Sequence, residues 1–208
     1  MSKSDPVDVA LVLAVDVSSS IDSSDFQLQM QGIAAALRQK AVLEIIQAGR
    51  YRQVALALVQ WSTSRSQSIT IPWQILSSLA DVEATAHAVE LAGRSYTPGG
   101  TGMAAAIAFS TALLDALTLH ADRKIIDVSG DGMENDGGDV PSARALALKR
   151  GIVINGLPEV SGSELLVPYY RDVVIGGAGA FIEPANNIFA FGDAMGRKLI
   201  RELQPSLT

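Results

Sequence analysis

Residues 9–20 read VALVLAVDVSSS and pass abruptly from seven apolar residues to a polar loop. A continuously apolar run of this length, bounded by polar residues, is typical of a strand that is buried on both faces, the usual situation in a parallel sheet. The loop that follows places Asp16, Ser18 and Ser20 at alternate positions. The segment therefore predicts a central strand that ends in a group of oxygen-bearing side chains.

Strand-like and helix-like segments alternate along most of the chain. Helical periodicity predicts helices over 26–43, 81–91, 102–119, 141–149, 163–173 and 187–203, and apolar runs predict strands over 53–61, 69–71, 124–129, 152–155 and 180–182. Pro72 is expected to close the short strand 69–71, which would pair with 53–61 as a hairpin at the sheet edge. We expect an α/β, doubly wound, mostly parallel sheet with one antiparallel edge strand and helices on both faces.

Composition narrows the kinds of protein that this chain could be. Hydrophobic residues make up 48% and charged residues 18% of the 208 positions, which indicates a globular chain. The net charge is −6 and no run of Lys or Arg occurs, so nucleic-acid binding is not expected. The absence of cysteine excludes disulfides and thiolate metal sites. Without internal repeats or linkers, residues 1–208 are interpreted as a single domain.

No segment predicts insertion into a membrane. The apolar run 7–15 is interrupted by Asp8 and is much shorter than the roughly 20 residues that a membrane-spanning helix needs. Residues 1–6 also lack the apolar stretch of a signal peptide.

Polar residues follow the predicted core strands where an open α/β sheet binds its ligands, at the carboxyl ends of the strands. The first strand is followed by Asp16, Ser18 and Ser20, and the strand 124–129 by Asp131. Thr101 lies between them in the segment 99–102, which reads GGTG. Hydroxyl and carboxylate oxygens favour a hard divalent cation, so we expect Mg²⁺, with Mn²⁺ or Ca²⁺ as alternatives.

The charge of these groups also predicts what the ion would bind. Two carboxylates approximately neutralise a divalent cation, while the neutral hydroxyls leave its coordination sphere incomplete. An open position of this kind favours an acidic group, Asp or Glu, of a protein partner.

Simpler explanations exist for several of these residues. Ser20 or Asp22 could instead cap the first helix. Thr97 is an alternative to Thr101 in the same loop. Several other polar residues are interpreted as solvated loop and cap residues: Asp22, Asp25, Glu134, Asn135 and Asp136. Glu134 or Asp136 could instead form a rim that contacts a partner.

In order and position, the five candidate ligands resemble the metal-ion-dependent adhesion site (MIDAS) of von Willebrand factor type A (vWA) domains and integrin inserted domains: Asp16, Ser18, Ser20, Thr101 and Asp131. The likeness extends along nearly the whole chain, and residues 58–62 resemble the second strand of the family. The resemblance implies that the three hydroxyls reach the metal and that the two carboxylates act directly or through water. It also implies a ligand carboxylate in the last position and a C-terminal helix able to shift on binding.

The sequences GGTGM at 99–103 and SGDGM at 129–133 are most similar to a bacterial vWA-like branch that is catalogued without an assigned function. Members of that branch often carry export signals, which implies a periplasmic or exported location. Two residues depart from the family pattern. Gly130 stands where Thr is common, so that position offers no hydroxyl to support the site. Asp127 stands inside a core strand where an apolar residue is usual.

The expected function is metal-dependent binding of a protein, without enzymatic activity. The alternative is a metal-dependent phosphoryl-transfer enzyme or hydrolase with Asp16 as the nucleophile. A phosphatase of the haloacid dehalogenase type would carry a second Asp where this chain has Ser18, and no Lys or Arg adjoins the site in sequence. A third possibility is a scaffold module that binds no ion.

Overall fold

The computed structural model describes residues 5–95 and 99–204. Within these ranges the sheet has five strands in the order β3-β2-β1-β4-β5: β1 (Val7–Asp16), β2 (Val54–Trp61), β3 (Gln67–Leu76), β4 (Ala121–Gly130) and β5 (Ile152–Pro158). Strand β1 pairs in parallel with β2 and β4, and β4 pairs in parallel with β5. Only β3 is antiparallel to its neighbour, β2. The predicted fold class is confirmed.

Helices cover both faces of the sheet because successive side chains of a buried strand point to opposite faces. Val9, Leu11, Leu13 and Val15 pack into one apolar cluster, whereas the alternate residues 10, 12 and 14 pack into a second one. The first cluster is closed by α1 (Ser23–Leu37), α2 (Lys40–Ala48), α3 (Leu79–Glu90) and α7 (Phe191–Leu203). The second is closed by α4 (Met103–Asp115), α5 (Val140–Lys149) and α6 (Leu166–Tyr169), which continues as a π-helical turn (Tyr170–Val174).

The helix predicted over 26–43 is two helices. Helix α1 ends at Leu37, and Gln39 has an extended backbone before α2 begins at Lys40. Apolar residues of both helices face the same core, among them Leu37 and Val42. The helical periodicity therefore continues across the break and hides it in the sequence.

The strand predicted to end at Pro72 instead continues to Leu76. Its pairing with β2 shifts register on either side of Leu58, which accommodates Pro72 on a strand at the sheet edge. An edge position tolerates proline because the missing amide donor can face away from the ladder.

Other boundaries also differ from the predictions. The helix expected over 102–119 ends at Asp115, and that over 163–173 is the shorter α6 with its π-helical turn. Residues 180–182 do not form a strand, and only an isolated bridge joins Ile182 to Gly156 of β5. The last helix is preceded by a 3₁₀ turn, Ile188–Ala190. Within the described ranges, no helix has the length and apolar character needed to cross a membrane.

Helices α1 and α7 make backbone contact at a pair of glycines. A Cβ atom added to Gly32 of α1 would lie 2.9 Å from the Cα atom of Gly192 in α7. No side chain fits between these helices at that point. The Gly32–Gly192 contact therefore fixes how closely α7 approaches the core.

We expect Gly32→Ala to lower the free energy of unfolding by about 1–3 kcal/mol, because the new methyl group must push two backbones apart. Urea denaturation measures this change. Gly93→Ala is the matched control, since a Cβ atom there meets no atom within 4 Å. Equal stabilities of the two variants would contradict the close contact.

Candidate metal-binding site

Asp16 is the last residue of β1, and its side chain is fully buried. Its Oδ1 atom accepts a hydrogen bond from the backbone N–H of Ser18 at 2.7 Å. Its Oδ2 atom is buried and has no hydrogen-bond partner within the described part of the chain. A buried carboxylate oxygen without a partner is costly, so this atom marks a place where a ligand would be favourable.

The loop after β1 reaches the loop after the neighbouring strand β4. The hydroxyl of Ser20 donates a hydrogen bond to Oδ1 of Asp131 at 2.7 Å, and the hydroxyls of Ser18 and Ser20 lie 3.2 Å apart. Ser18 is buried, Asp131 is half-buried and Ser20 is exposed. These three predicted residues, with Asp16, form one polar cluster that extends from the interior to the surface.

Thr101 comes from a third loop and lies beside the same cluster. Its side chain is 4% exposed, and a Cβ atom on Gly132, next to Asp131, would lie 3.2 Å from its Oγ1 atom. Gly99, two residues before Thr101, also connects this loop to the first one, because the N–H of Ser19 donates to the carbonyl of Gly99 at 2.9 Å. The alternative residue, Thr97, lies outside the described residues.

Asn135 holds Thr101 in place, so it is more than the solvated loop or cap residue that the sequence predicted. The Thr101 N–H donates to Oδ1 of Asn135 at 2.7 Å, and the Asn135 amide donates to Oγ1 of Thr101 at 3.4 Å. The Asn135 N–H also donates to the Thr101 carbonyl at 3.0 Å. Loop residues that follow Asp131 thus fix the third loop of the cluster.

The acidic residues of this segment serve the loop structure. Glu134 accepts a hydrogen bond from the N–H of Ala104 at 2.8 Å, in the first turn of α4, and others from the N–H groups of Asp136 and Gly138. Asp136 accepts from the N–H of Ser64. The cap interpretation is confirmed for Glu134, and neither carboxylate is merely solvated.

In the structure, Ser20 does not cap the first helix. Asp22 is the N-cap of α1 and accepts hydrogen bonds from the N–H groups of Ser24 and Asp25. The hydroxyl of Ser20 is thereby left for Asp131 and Ser18.

Asp16 approaches the loop after β4 so closely that position 130 must be glycine. A Cβ atom at position 130 would lie 2.8 Å from Oδ2 of Asp16 and 3.2 Å from the hydroxyl of Tyr170. Tyr170 is fully buried, begins the π-helical turn and has its hydroxyl 3.5 Å from the Gly130 carbonyl. The Tyr170 hydroxyl therefore borders the space beside Asp16 that a side chain at position 130 would enter. Sequence reasoning did not identify Tyr170.

Comparison with family models shows which protein family the chain belongs to. A family model described as "Protein of unknown function (DUF1194)" matches residues 6–207. The chain belongs to this family. The comparison with curated proteins found no match.

Solved structures place the DUF1194 chain among vWA folds. It superposes on proximal thread matrix protein 1 from the mussel byssus, in a structure with a zinc-occupied MIDAS motif, with a TM-score of 0.66 and 16% identity over 95% of this chain. It spans slightly less than half of that protein's length, 46%. A von Willebrand factor type A protein from Catenulispora acidiphila gives a TM-score of 0.60 and 18% identity, covering 95% of this chain and 43% of the other.

A third similar structure matches over the full length of both chains. The vWF domain of the type V pili tip protein Mfa5 from Porphyromonas gingivalis gives a TM-score of 0.63 at 12% identity, and 99% of each chain is covered. The predicted resemblance to vWA domains is therefore confirmed for the fold.

The donor set of the DUF1194 chain suits a hard cation. Within residues 5–95 and 99–204, no group of three or more His, Cys, Asp or Glu side chains is placed to hold a metal ion. The cluster instead offers two carboxylates and three hydroxyls, all of them oxygen donors. Burial raises the pKa of Asp16 to about 7, and the nearby charge of Asp131 adds to this effect against the opposing hydrogen bonds from Ser18. A cation beside Asp16 would relieve the cost of its buried charge.

The raised pKa predicts how pH affects the chelator-treated protein. The folded state holds a proton on Asp16 that the unfolded chain releases near its ordinary pKa of 3.8, so this group stabilises the fold at low pH. That contribution is lost as pH rises through about 7. Its upper limit is on the order of 4 kcal/mol.

Urea denaturation in EDTA at pH 5 and pH 8 measures this effect when wild type is compared with Asp16→Asn. We expect wild type to lose stability relative to the variant on going from pH 5 to pH 8. Parallel pH profiles of the two proteins would show that the Asp16 carboxyl is not perturbed.

Proposed function

We propose that this chain is a divalent-metal-dependent protein-binding module. The proposed ligands of the ion are Asp16, Ser18, Ser20, Thr101 and Asp131. The observation that carries the proposal is the buried, unpartnered Oδ2 atom of Asp16 beside the loop after β4, which also contacts Ser20 through Asp131 and adjoins Thr101 at Gly132. The glycines at 130 and 132 support it, because they let the backbone of the β4 loop pass close to Asp16 and Thr101.

Mg²⁺ is the proposed ion, with Mn²⁺ or Ca²⁺ as alternatives. Carboxylate and hydroxyl oxygens without any nitrogen or sulfur donor are the ligands of hard cations. The zinc-occupied MIDAS motif of the mussel protein supports a divalent ion in a related fold.

The proposed partner is a protein that presents Asp or Glu. The bound ion would act as a Lewis acid that attracts an anionic oxygen. The two carboxylates of the chain neutralise a divalent ion without giving the site a net negative charge. Ser20 is exposed and Asp131 half-exposed, so the cluster faces solvent on the side where a partner would approach. An exported or periplasmic location, implied by the family resemblance, belongs to this proposal.

A binding role is favoured over phosphoryl transfer by the charges around Asp16. Within the described ranges, no Lys or Arg forms a hydrogen bond or ion pair with Asp16 or Asp131. Phosphoryl transfer relies on positive charges that stabilise the transferring group. Asp16 is also fully buried, which disfavours in-line attack by its carboxylate on a bulky phosphate ester.

Metal binding is tested by thermal unfolding with and without Mg²⁺. At about 100 times its dissociation constant, the ion should add roughly 2.7 kcal/mol to the stability of wild type. Asp131→Asn should abolish this gain, and Ser20→Ala should weaken the affinity for Mg²⁺ on the order of tenfold or more.

Ser24→Ala is the matched control, because Ser24 is exposed in the same segment and its hydroxyl forms no hydrogen bond with residues 5–95 or 99–204. Unfolding of wild type that does not respond to millimolar Mg²⁺, Mn²⁺ or Ca²⁺ would refute the metal site.

Partner binding is tested with the immobilised chain in an extract of its source cells. A partner should be retained in Mg²⁺, released by EDTA and absent from Asp131→Asn beads. In the purified partner, replacing one Asp or Glu by its amide should then remove binding. Retention that is indifferent to EDTA, or to every such substitution, would contradict an acidic group on the ion.

A further inference from the structure

A buried ionic cluster lies between β4 and α7, distant in sequence from the candidate metal ligands of the first loop. Asp127 of β4 forms an ion pair with Lys198 of α7 at 3.0 Å, and Lys198 also pairs with Glu202 one turn further along α7. The three side chains are at most 1% exposed. Burial of three charges is costly and adds little stability compared with apolar packing, so the cluster calls for another explanation.

Glu202 links this cluster to a cavity at the amino-terminal edge of β4 and β5, opposite to the edge that carries Asp131. The cavity has a volume of about 330 Å³, within the range of small-molecule sites. Its polar lining comes from the first part of the two strands and from the end of α7: Arg123, Asn155, Arg201, Glu202 and Gln204. Phe181 closes one side.

Two arginines, Arg123 and Arg201, are among the lining residues. Arg201 lies over the ring of Phe181, 3.8 Å from its centroid, and Arg123 donates a hydrogen bond to the carbonyl of Gln204 at 2.6 Å. In the described part of the chain, neither guanidinium group forms an ion pair with a carboxylate. Burial lowers the pKa of Arg123, and the charges of Asp8, Glu202 and Asp122 offset only part of this effect.

These arginines also lie at the end of α7, where a guanidinium can satisfy terminal carbonyls. The bond from Arg123 to Gln204 has this role. It uses one of the five N–H donors of a guanidinium, so within the described residues most donors of Arg123 are left for a ligand.

Glu202 offers the opposite charge. Its Oε1 atom accepts hydrogen bonds from Lys198 and from the side-chain amide of Asn155, the latter at 2.8 Å. Its Oε2 atom is buried and has no hydrogen-bond partner among residues 5–95 and 99–204. The side-chain Oδ1 atom of Asn155 already accepts a hydrogen bond from the N–H of Phe181 at 3.1 Å, so Oε2 of Glu202 is left as a buried acceptor without a donor in the described part of the chain.

We propose that this cavity binds a small zwitterion of the α-amino acid class. The ligand carboxylate contacts the guanidinium groups of Arg123 and Arg201, and its ammonium group contacts Oε2 of Glu202. Guanidinium groups bind carboxylates through paired N–H donors, and an ammonium group supplies the donor that Glu202 lacks. This site is independent of the proposed metal site at the other edge of the sheet.

The test is titration calorimetry of the full chain in EDTA, with the standard L-amino acids added one at a time. At least one should bind, and acetate and methylammonium, which carry one charge each, should bind more weakly by about tenfold or more. Arg201→Gln should weaken binding of the same amino acid by about tenfold or more.

Arg197→Gln is the matched control on α7, because Arg197 is exposed, pairs with Glu183 and does not line the cavity. It should bind the amino acid as wild type does. Absence of binding by every standard amino acid, equal binding of acetate, or equal affinity of the Arg201→Gln variant would each overturn the proposal. Unfolding curves of both variants verify that they are folded.

Discussion

The parallel pairing of β1 with β4 is the constraint on which the candidate metal site depends. Val15 lies opposite Ser129 in this register, so Asp16 and Asp131 leave adjacent strands at nearly the same height. A shift by one residue would turn every side chain of β1 to the other face of the sheet and remove Asp16 from the cluster. The register is fixed because β1 buries apolar side chains on both faces, and its residues 9–15 have no accessible surface.

Much of this arrangement could be predicted because it depends on local pattern. The apolar run 9–15 predicts a doubly buried strand, and the rule that ligands bind at carboxyl ends of strands groups Asp16 with Asp131. The structure places Ser18, Ser20 and Thr101 beside them. Their role as metal ligands is still a proposal.

Features that depend on distant contacts could not be predicted. Asp127 has its partner Lys198 on another element 71 positions later, and no local pattern indicates that pair. Tyr170 reaches the neighbourhood of Asp16 through a π-helical turn, and Asn135 reaches Thr101 across two loops. The end of β3 was wrongly predicted at Pro72, because a strand tolerates proline only under conditions such as an edge position in the sheet. That position is not evident from local sequence.

The unequal burial of the cluster has a kinetic consequence. Asp16 and Ser18 are closed off by the protein, whereas Ser20 and Asp131 face solvent. An ion held by these residues would exchange with solvent past the surface hydroxyl of Ser20 and the outer carboxylate of Asp131. A partner seated on the ion would cover that side, so exchange of the ion would slow for as long as the complex lasts.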